Sequence, residues 1–179
     1  MTFIEEYKMN PSLCDAFIKY HQENKEYKIP GMFGGGKIDH NVKDSTDVLF
    51  FDDCRHSTII EFFTQLKACV QSYTEKYFHP GHRVHTCNGN VIQYYKKGGG
   101  YKELHYERGN RVCSHRQLVY MLYCNTLKNG GTDFPWQKTT LQAEKGKLAI
   151  WPSDFTHPHI GVISNDQEKY IVTGWFEIV

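Results

Sequence analysis

Two residues in the middle of the chain could hold a metal ion. His105 and Glu107 are separated only by Tyr106. On a β-strand, side chains two apart point to the same face, so an imidazole and a carboxylate here would aim at one point. A polar strand edge produces the same pair by chance, so the reading needs partners elsewhere. Downstream, Trp151 to Gly161 carries two more histidines, His157 and His159, near a predicted strand end. The spacing alone leaves either one open as a third ligand, because an extended segment would put both on one face and the intervening Pro158 disturbs that pattern.

Two imidazoles and one carboxylate on one face of an octahedron suit Fe(II) and leave three coordination positions for a bidentate 2-oxo acid and O₂. Thiolates would favour zinc or iron–sulfur chemistry instead. A second clue is Lys169, which opens the apolar and aromatic run Lys169 to Val179. An unpaired ammonium is costly to bury, and a dicarboxylate would be its natural partner. Period two puts Lys169, Ile171, Thr173 and Trp175 on one face. A lysine snorkelling from a strand end would show the same sequence.

The elements that must position these groups are legible in outline. Asn10-Pro11 reads as an N-cap and first helical residue, opening a helix to about residue 24. Residues 25–47 hold Pro30-Gly31 and Gly34-Gly35-Gly36 and read as a loop region, followed by a short strand at 47–52. Ser57 is the predicted N-cap of a second helix over 58–77, with an apolar stripe from Ile59 to Tyr77. Beyond it the period changes to two. Strands are expected at 91–95, 101–107, 117–124, 147–151 and 169–179, separated by turn residues such as Asn129-Gly130-Gly131 and Lys145-Gly146. Helices followed by many strands predict a mainly β fold with supporting helices, not alternating βαβ units. Gly98-Gly99-Gly100 precedes no phosphate-binding helix and reads as a turn beside the site.

The chain has 179 residues, 40% of them hydrophobic and 15% aromatic, enough for one packed domain of ordinary size. A net charge of +1 provides no field for nucleic acid or an anionic membrane, and neither is expected as a partner. No apolar run approaches the ~20 residues of a membrane helix, and the first residues lack the pattern of a secretory signal. The six cysteines form no Cys-x-x-Cys pair. A cytoplasmic protein with reduced thiols is expected. His82, His85 and His115 read as surface or structural histidines.

Residues from about 91 to 178 resemble the 2-oxoglutarate- and Fe(II)-dependent oxygenases, in particular the compact prolyl-4-hydroxylase-like members of bacteria and phages. The resemblance rests on an ordered set: Tyr95, Tyr101, His105-x-Glu107, Leu122-Tyr123-Cys124-Asn125, Gly130-Gly131-Thr132-x-Phe134, Lys145 to Pro152, and His159-x-Gly161 followed by Lys169-Tyr170-x-x-Thr173-x-Trp175. It implies a double-stranded β-helix, or jelly-roll, over about 85–179, with 1–80 as helical support and loops of the same single domain. It implies His105, Glu107 and His159 as ligands of Fe(II), with His157 the alternative to His159. Lys169, ten residues after His159, would bind the C5 carboxylate of 2-oxoglutarate. Tyr95, ten before His105, would hydrogen-bond that carboxylate, and Tyr123, Thr173 and Trp175 would line the pocket. Arg116 is placed near the substrate mouth.

The implied activity is dioxygenation. 2-Oxoglutarate and O₂ are converted to succinate and CO₂, with ascorbate as an optional reductant, while a prolyl residue of a peptide or protein is hydroxylated. The same chemistry on a free amino acid or other small molecule is one alternative, and a non-catalytic metal-binding jelly-roll is another. One departure stands out: the commoner motif is His-x-Asp. The extra methylene of Glu107 asks its backbone to sit slightly further from the metal, or its carboxylate to bind differently.

Overall fold

The computed structural model describes all residues, Met1–Val179. In chain order the elements are β1 (Glu5–Lys8), α1 (Pro11–Glu23), β2 (Lys28–Pro30), β3 (Thr46–Phe50), α2 (Ser57–Tyr77), β4 (Val84–Thr86), β5 (Asn90–Tyr95), β6 (Arg116–Tyr123), β7 (Gly131–Phe134), β8 (Thr139–Gln142), β9 (Lys147–Pro152), β10 (Ile160–Gly161) and β11 (Lys169–Ile178). All strand pairs are antiparallel. The major sheet runs β1-β9-β6-β11-β5-β3-β2, with β4 joined to the far end of β11. The minor sheet is β10-β7-β8. Together they form a jelly-roll.

Period two decides which side of the major sheet each residue faces. Tyr170, Val172 and Phe176 of β11, Leu118, Tyr120 and Leu122 of β6, and Leu148 and Ile150 of β9 all join Leu13, Phe17, Ile59, Phe62, Leu66 and Tyr73 in one buried core under the helices. Each fully buried side chain of this size contributes roughly 1.5–3 kcal/mol. The alternate residues, Lys169, Ile171, Thr173 and Trp175 on β11 and Val91, Gln93 and Tyr95 on β5, face a cavity on the other side. The helices thus hold one face of the sheet rigid and leave the opposite face for chemistry.

The helix starts follow their capping chemistry. Asn10 accepts from the Ser12 N–H at 3.1 Å, and Pro11 sits in the first turn, where its missing N–H costs nothing. The second helix starts one residue earlier than expected. His56 is the cap: its Nδ1 accepts from the Thr58 N–H at 3.3 Å, which draws Ser57 into the first turn.

Two further expectations are corrected. The first eighty residues add strands beyond the one expected at 47–52, which is β3 paired with β5: β1 pairs with β9, and β2 pairs with β3 inside the segment read as a loop, extending the major sheet at both edges. Residues 101–107 form no strand. The segment divides its backbone between two partners, Lys102 donating to Val42 O and His105 exchanging bonds with His159, so no continuous ladder can form. Gly131 has no room for a side chain, since a Cβ there would overlap the Leu141 carbonyl of the paired strand. No helix is long and apolar enough to cross a membrane.

Candidate metal and co-substrate site

The cavity between the two sheets has a volume of about 520 Å³. At one end the backbones of His105 and His159 are tied together in both directions, at 3.0 and 2.8 Å. This is what brings a loop residue and a residue next to β10 side by side. Each ring is fixed in one tautomer by its neighbours. His105 Nδ1 lies 2.8 Å from the Glu103 carbonyl, and His159 Nδ1 lies 3.0 Å from the His157 carbonyl. A carbonyl only accepts, so both Nδ1 atoms carry a proton, and in the neutral ring each Nε2 lone pair is free for a metal. His105 stacks on Tyr101 at 3.7 Å, while His159 is wedged between Phe134 and Trp151.

The two free nitrogens face one carboxylate oxygen. Glu107 Oε1 lies 3.4 Å from His105 Nε2 and 3.7 Å from His159 Nε2. Ligand bonds of about 2.1 Å to a first-row divalent ion place adjacent octahedral ligands roughly 3 Å apart, close to this spacing. The other oxygen, Oε2, accepts from Arg116 Nη1 and Trp175 Nε1, each at 3.1 Å. Arg116 also donates to the Glu107 carbonyl and lies flat on the Trp175 ring at 3.5 Å. Burial alone would raise the Glu107 pKa, but hydrogen bonds and charge from His105 and His159 outweigh it and hold the carboxylate well below its usual range. Burial lowers the His159 pKa, partly offset by Glu107, and keeps that ring neutral. The bonds from the rings to Glu107 use Nε2 protons; a metal would displace those protons and take the two Nε2 lone pairs together with the ionised carboxylate.

Across the cavity, Lys169 is buried with 4% of its surface exposed. Its Nζ has only the Val162 carbonyl at 3.3 Å and the Tyr95 ring at 5.0 Å, with no carboxylate within ion-pair distance. Burial pushes its pKa down to about 8. The contrast with Lys43 is direct: that buried lysine meets Asp47 at 2.8 Å. Lys169 is therefore a desolvated cation facing a cavity without an anion, an arrangement that costs several kcal/mol unless a ligand completes it. Gly161 lies beside it: a Cβ there would meet Nζ at an ordinary 3.6 Å and crowd the Tyr101 carbonyl at 3.3 Å.

The other residues singled out in the sequence divide. Tyr95, Thr173 and Trp175 line the cavity. The Tyr95 hydroxyl donates to Gln93 at 2.8 Å, and that of Thr173 to the Tyr120 carbonyl at 3.0 Å. Tyr123 is not at the cavity wall. It packs behind it and shares a 2.6 Å hydrogen bond with Thr132, and it is Thr132 that meets the cavity. Arg116 is not a free cation at the mouth, because both its charge and its flat face are committed to Glu107 and Trp175. His157 is not placed to bind a metal at this site. Its Nε2 is bonded to the Thr2 carbonyl at 2.7 Å and its Nδ1 to Thr156 at 2.8 Å. A turn closed by His157 N–H on Asp154 breaks the extended run that would have aligned it with His159.

Several cavity residues escaped sequence reasoning. Gln93 sits two before Tyr95, so period two could have found it. Lys43 and Asp47 come from the segment read as a loop, and no periodicity marks them.

Residues 89–177, about half of the chain, match the family described as the 2OG-Fe(II) oxygenase superfamily. No curated protein matches the sequence. Among solved structures, the chain is similar to the viral collagen prolyl hydroxylase of Paramecium Bursaria Chlorella virus-1 in its 2OG complex, with TM-score 0.72, 18% identity, and coverage of 99% of this chain and 97% of that one. It is similar to a Pseudomonas putida prolyl-4-hydroxylase, with TM-score 0.75, 14% identity, and coverage of 99% and 94%. A prolyl hydroxylase from Trichoplax adhaerens, in complex with a hypoxia inducible factor oxygen degradation domain peptide fragment, is also similar, with TM-score 0.74, 14% identity, and coverage of 99% and 84%.

Proposed function

The chain belongs to the 2OG-Fe(II) oxygenase superfamily, and from that membership we propose that it hydroxylates prolyl residues in a peptide or protein. His105, Glu107 and His159 would hold Fe(II), through the two free Nε2 atoms and Oε1. Fe(II), with 2-oxoglutarate and O₂, supplies the oxidising power: one oxygen atom enters a substrate C–H bond, the other enters succinate, and CO₂ leaves.

The protein's part is binding and orientation. Lys169 would pair with the distal carboxylate of 2-oxoglutarate, with the Tyr95 ring and hydroxyl beside it. Thr173 and Trp175 would shape the wall, and Tyr123 would act through Thr132. Arg116 and the Trp175 indole would hold Glu107 by Oε2 and keep Oε1 directed at the histidines. The observation that carries the reading is the pairing of two ends of one cavity: three metal-competent ligand atoms at one, an uncompensated buried cation at the other.

The peptide assignment is supported by the similar structures, which are named as prolyl hydroxylases, one of them holding a peptide. It is also supported by the rim, where exposed Met32, Leu49, Tyr106 and Val112 surround the mouth. Such an apolar rim suits an extended chain segment. Six free thiols fit action in a reducing compartment such as the cytoplasm.

The test is succinate release with Fe(II), 2-oxoglutarate and O₂, in the presence of proline-containing peptides. Turnover should rise with such peptides, and the peptide should gain the mass of one oxygen atom on proline. Stimulation only by free proline or an unrelated small molecule would remove the peptide assignment.

A further inference from the structure

We propose a second metal site, for a borderline divalent ion such as Zn²⁺, formed by Cys87, His115 and Glu177 at the outer corner of the major sheet. The ligand-capable atoms of these three residues lie within 4.8 Å of one another. They come from three separate chain segments that the sheet brings together. Glu177 is near the end of β11, Cys87 immediately follows β4, and His115 immediately precedes β6.

The register explains the convergence. β4 pairs with β11 so that Thr86 faces Phe176 and His85 faces Glu177. One step on, the Cys87 N–H donates to the Trp175 carbonyl at 2.8 Å, which puts Cys87 opposite Trp175 and diagonal to Glu177 on the same face. On the other side, β6 pairs Arg116 with Glu177 after a bulge, which brings the preceding His115 to the same corner.

The donor set suits zinc. Thiolate, imidazole and carboxylate are its three protein ligand types, and bonds of about 2.0–2.3 Å would place them roughly 3.3–3.8 Å apart. From separations within 4.8 Å, closing to that spacing takes at most about 1.5 Å, which the exposed His115 side chain can supply at the strand end. A fourth position is left for water or for His85, whose Nε2 already lies 3.0 Å from Glu177 Oε1 and otherwise serves to orient that carboxylate. Charge also balances, since one thiolate, one carboxylate and a neutral imidazole offset a divalent ion. The nearby Arg116 does not oppose this, because Glu107 already neutralises it. Cys87 itself is buried, and burial raises its thiol to about pH 11. Binding must therefore displace its proton, and affinity should rise with pH.

This site is separate from the His105–Glu107–His159 cluster, and the thiolate makes the two distinguishable. In metal-free protein titrated with Co²⁺ at micromolar concentration, two equivalents should bind. One should carry an intense near-ultraviolet sulfur-to-cobalt band and the other should not. Cys87→Ser should lose the band and one equivalent while keeping the other. The exposed His115→Ala, whose folding is not at risk, should weaken the banded equivalent by about tenfold or more, the scale on which even outer ligand partners act. Zn²⁺ should displace the banded Co²⁺ and raise the melting temperature of the wild type more than that of Cys87→Ser. A single equivalent, a second equivalent indifferent to Cys87 and His115, or a band appearing only at millimolar metal would each overturn the proposal.

Discussion

Arg116 lies flat on the indole of Trp175, 3.5 Å above it, and the two side chains grip the same oxygen of Glu107. The guanidinium and the indole N–H each donate to Oε2, so Oε1 is left facing His105 and His159. Trp175→Phe keeps the ring but deletes one donor, and Arg116→Lys keeps the charge but loses the planar stack. Each should weaken Fe(II) binding by about ten- to a hundredfold, the effect expected of groups that orient a ligand. Glu107→Asp should do at least as much, because a shorter side chain cannot reach both the clamp and the histidines. Iron titration of the three variants checks this; unchanged affinity in Trp175→Phe would mean the indole bond orients nothing.

Lys169 gives the protein a pH signature. Its folded pKa, about 8, lies below the ordinary 10.5, so the unfolded chain holds the proton more tightly. The cost of burying the charge, roughly 3 kcal/mol, therefore stands in full below pH 8 and fades as pH rises toward 10.5. Lys169→Met should melt at a higher temperature than wild type at pH 7 without ligand, and should lose the stabilisation that 2-oxoglutarate confers. In the wild type, the KM for 2-oxoglutarate should be flat below pH 8 and climb above it, by up to about tenfold per unit. A flat profile through pH 9 would remove Lys169 from the co-substrate site.

The paired histidines should separate cleanly. His159→Ala should abolish metal binding at the site. His157→Ala should retain it and instead lose roughly 0.5–1.5 kcal/mol of stability, the net worth of its bond to the Thr2 carbonyl. Denaturant melts and iron binding measured side by side test both, and loss of iron in His157→Ala with little loss of stability would reverse the assignment.

Gly174 sits on β11 where a Cβ would overlap the Asn90 side chain and the Tyr120 hydroxyl, which are themselves hydrogen-bonded beneath the helices. Gly174→Ala should cost roughly 1–3 kcal/mol by overpacking. A thermal melt is enough to check it, and a variant as stable as wild type would show that the Asn90–Tyr120 pair yields easily.

The division of β11 into a core face and a cavity face could be read from the sequence, because strand alternation is a local property. Period two puts Lys169, Thr173 and Trp175 on one wall for that reason, and all three line the cavity. His105 and Glu107 do converge, though not through the alternation that first suggested it. Their segment is held by a bridge to His159, a long-range contact that no local period reports. Arg116 does line the cavity, as its place near the mouth implied, but its commitment to Glu107 and Trp175 is not legible in the spacing. Its role depends on the 107–116 loop folding back over Trp175, and nothing in the residue spacing encodes that return. Tyr123 shows the limit of alternation: the correct face does not fix the depth, and Thr132 on the opposite sheet stands between it and the cavity.

The central claim is that His105, Glu107 and His159 hold iron while Lys169 holds 2-oxoglutarate in the same cavity. The most direct measurement is the visible spectrum of the anaerobic protein with Fe(II) and 2-oxoglutarate. A weak charge-transfer band should form in the wild type and in Cys87→Ser, vanish in His105→Ala and His159→Ala, and require much more 2-oxoglutarate in Lys169→Ala. Absence of the band in the wild type, or its survival in both histidine variants, would contradict the account.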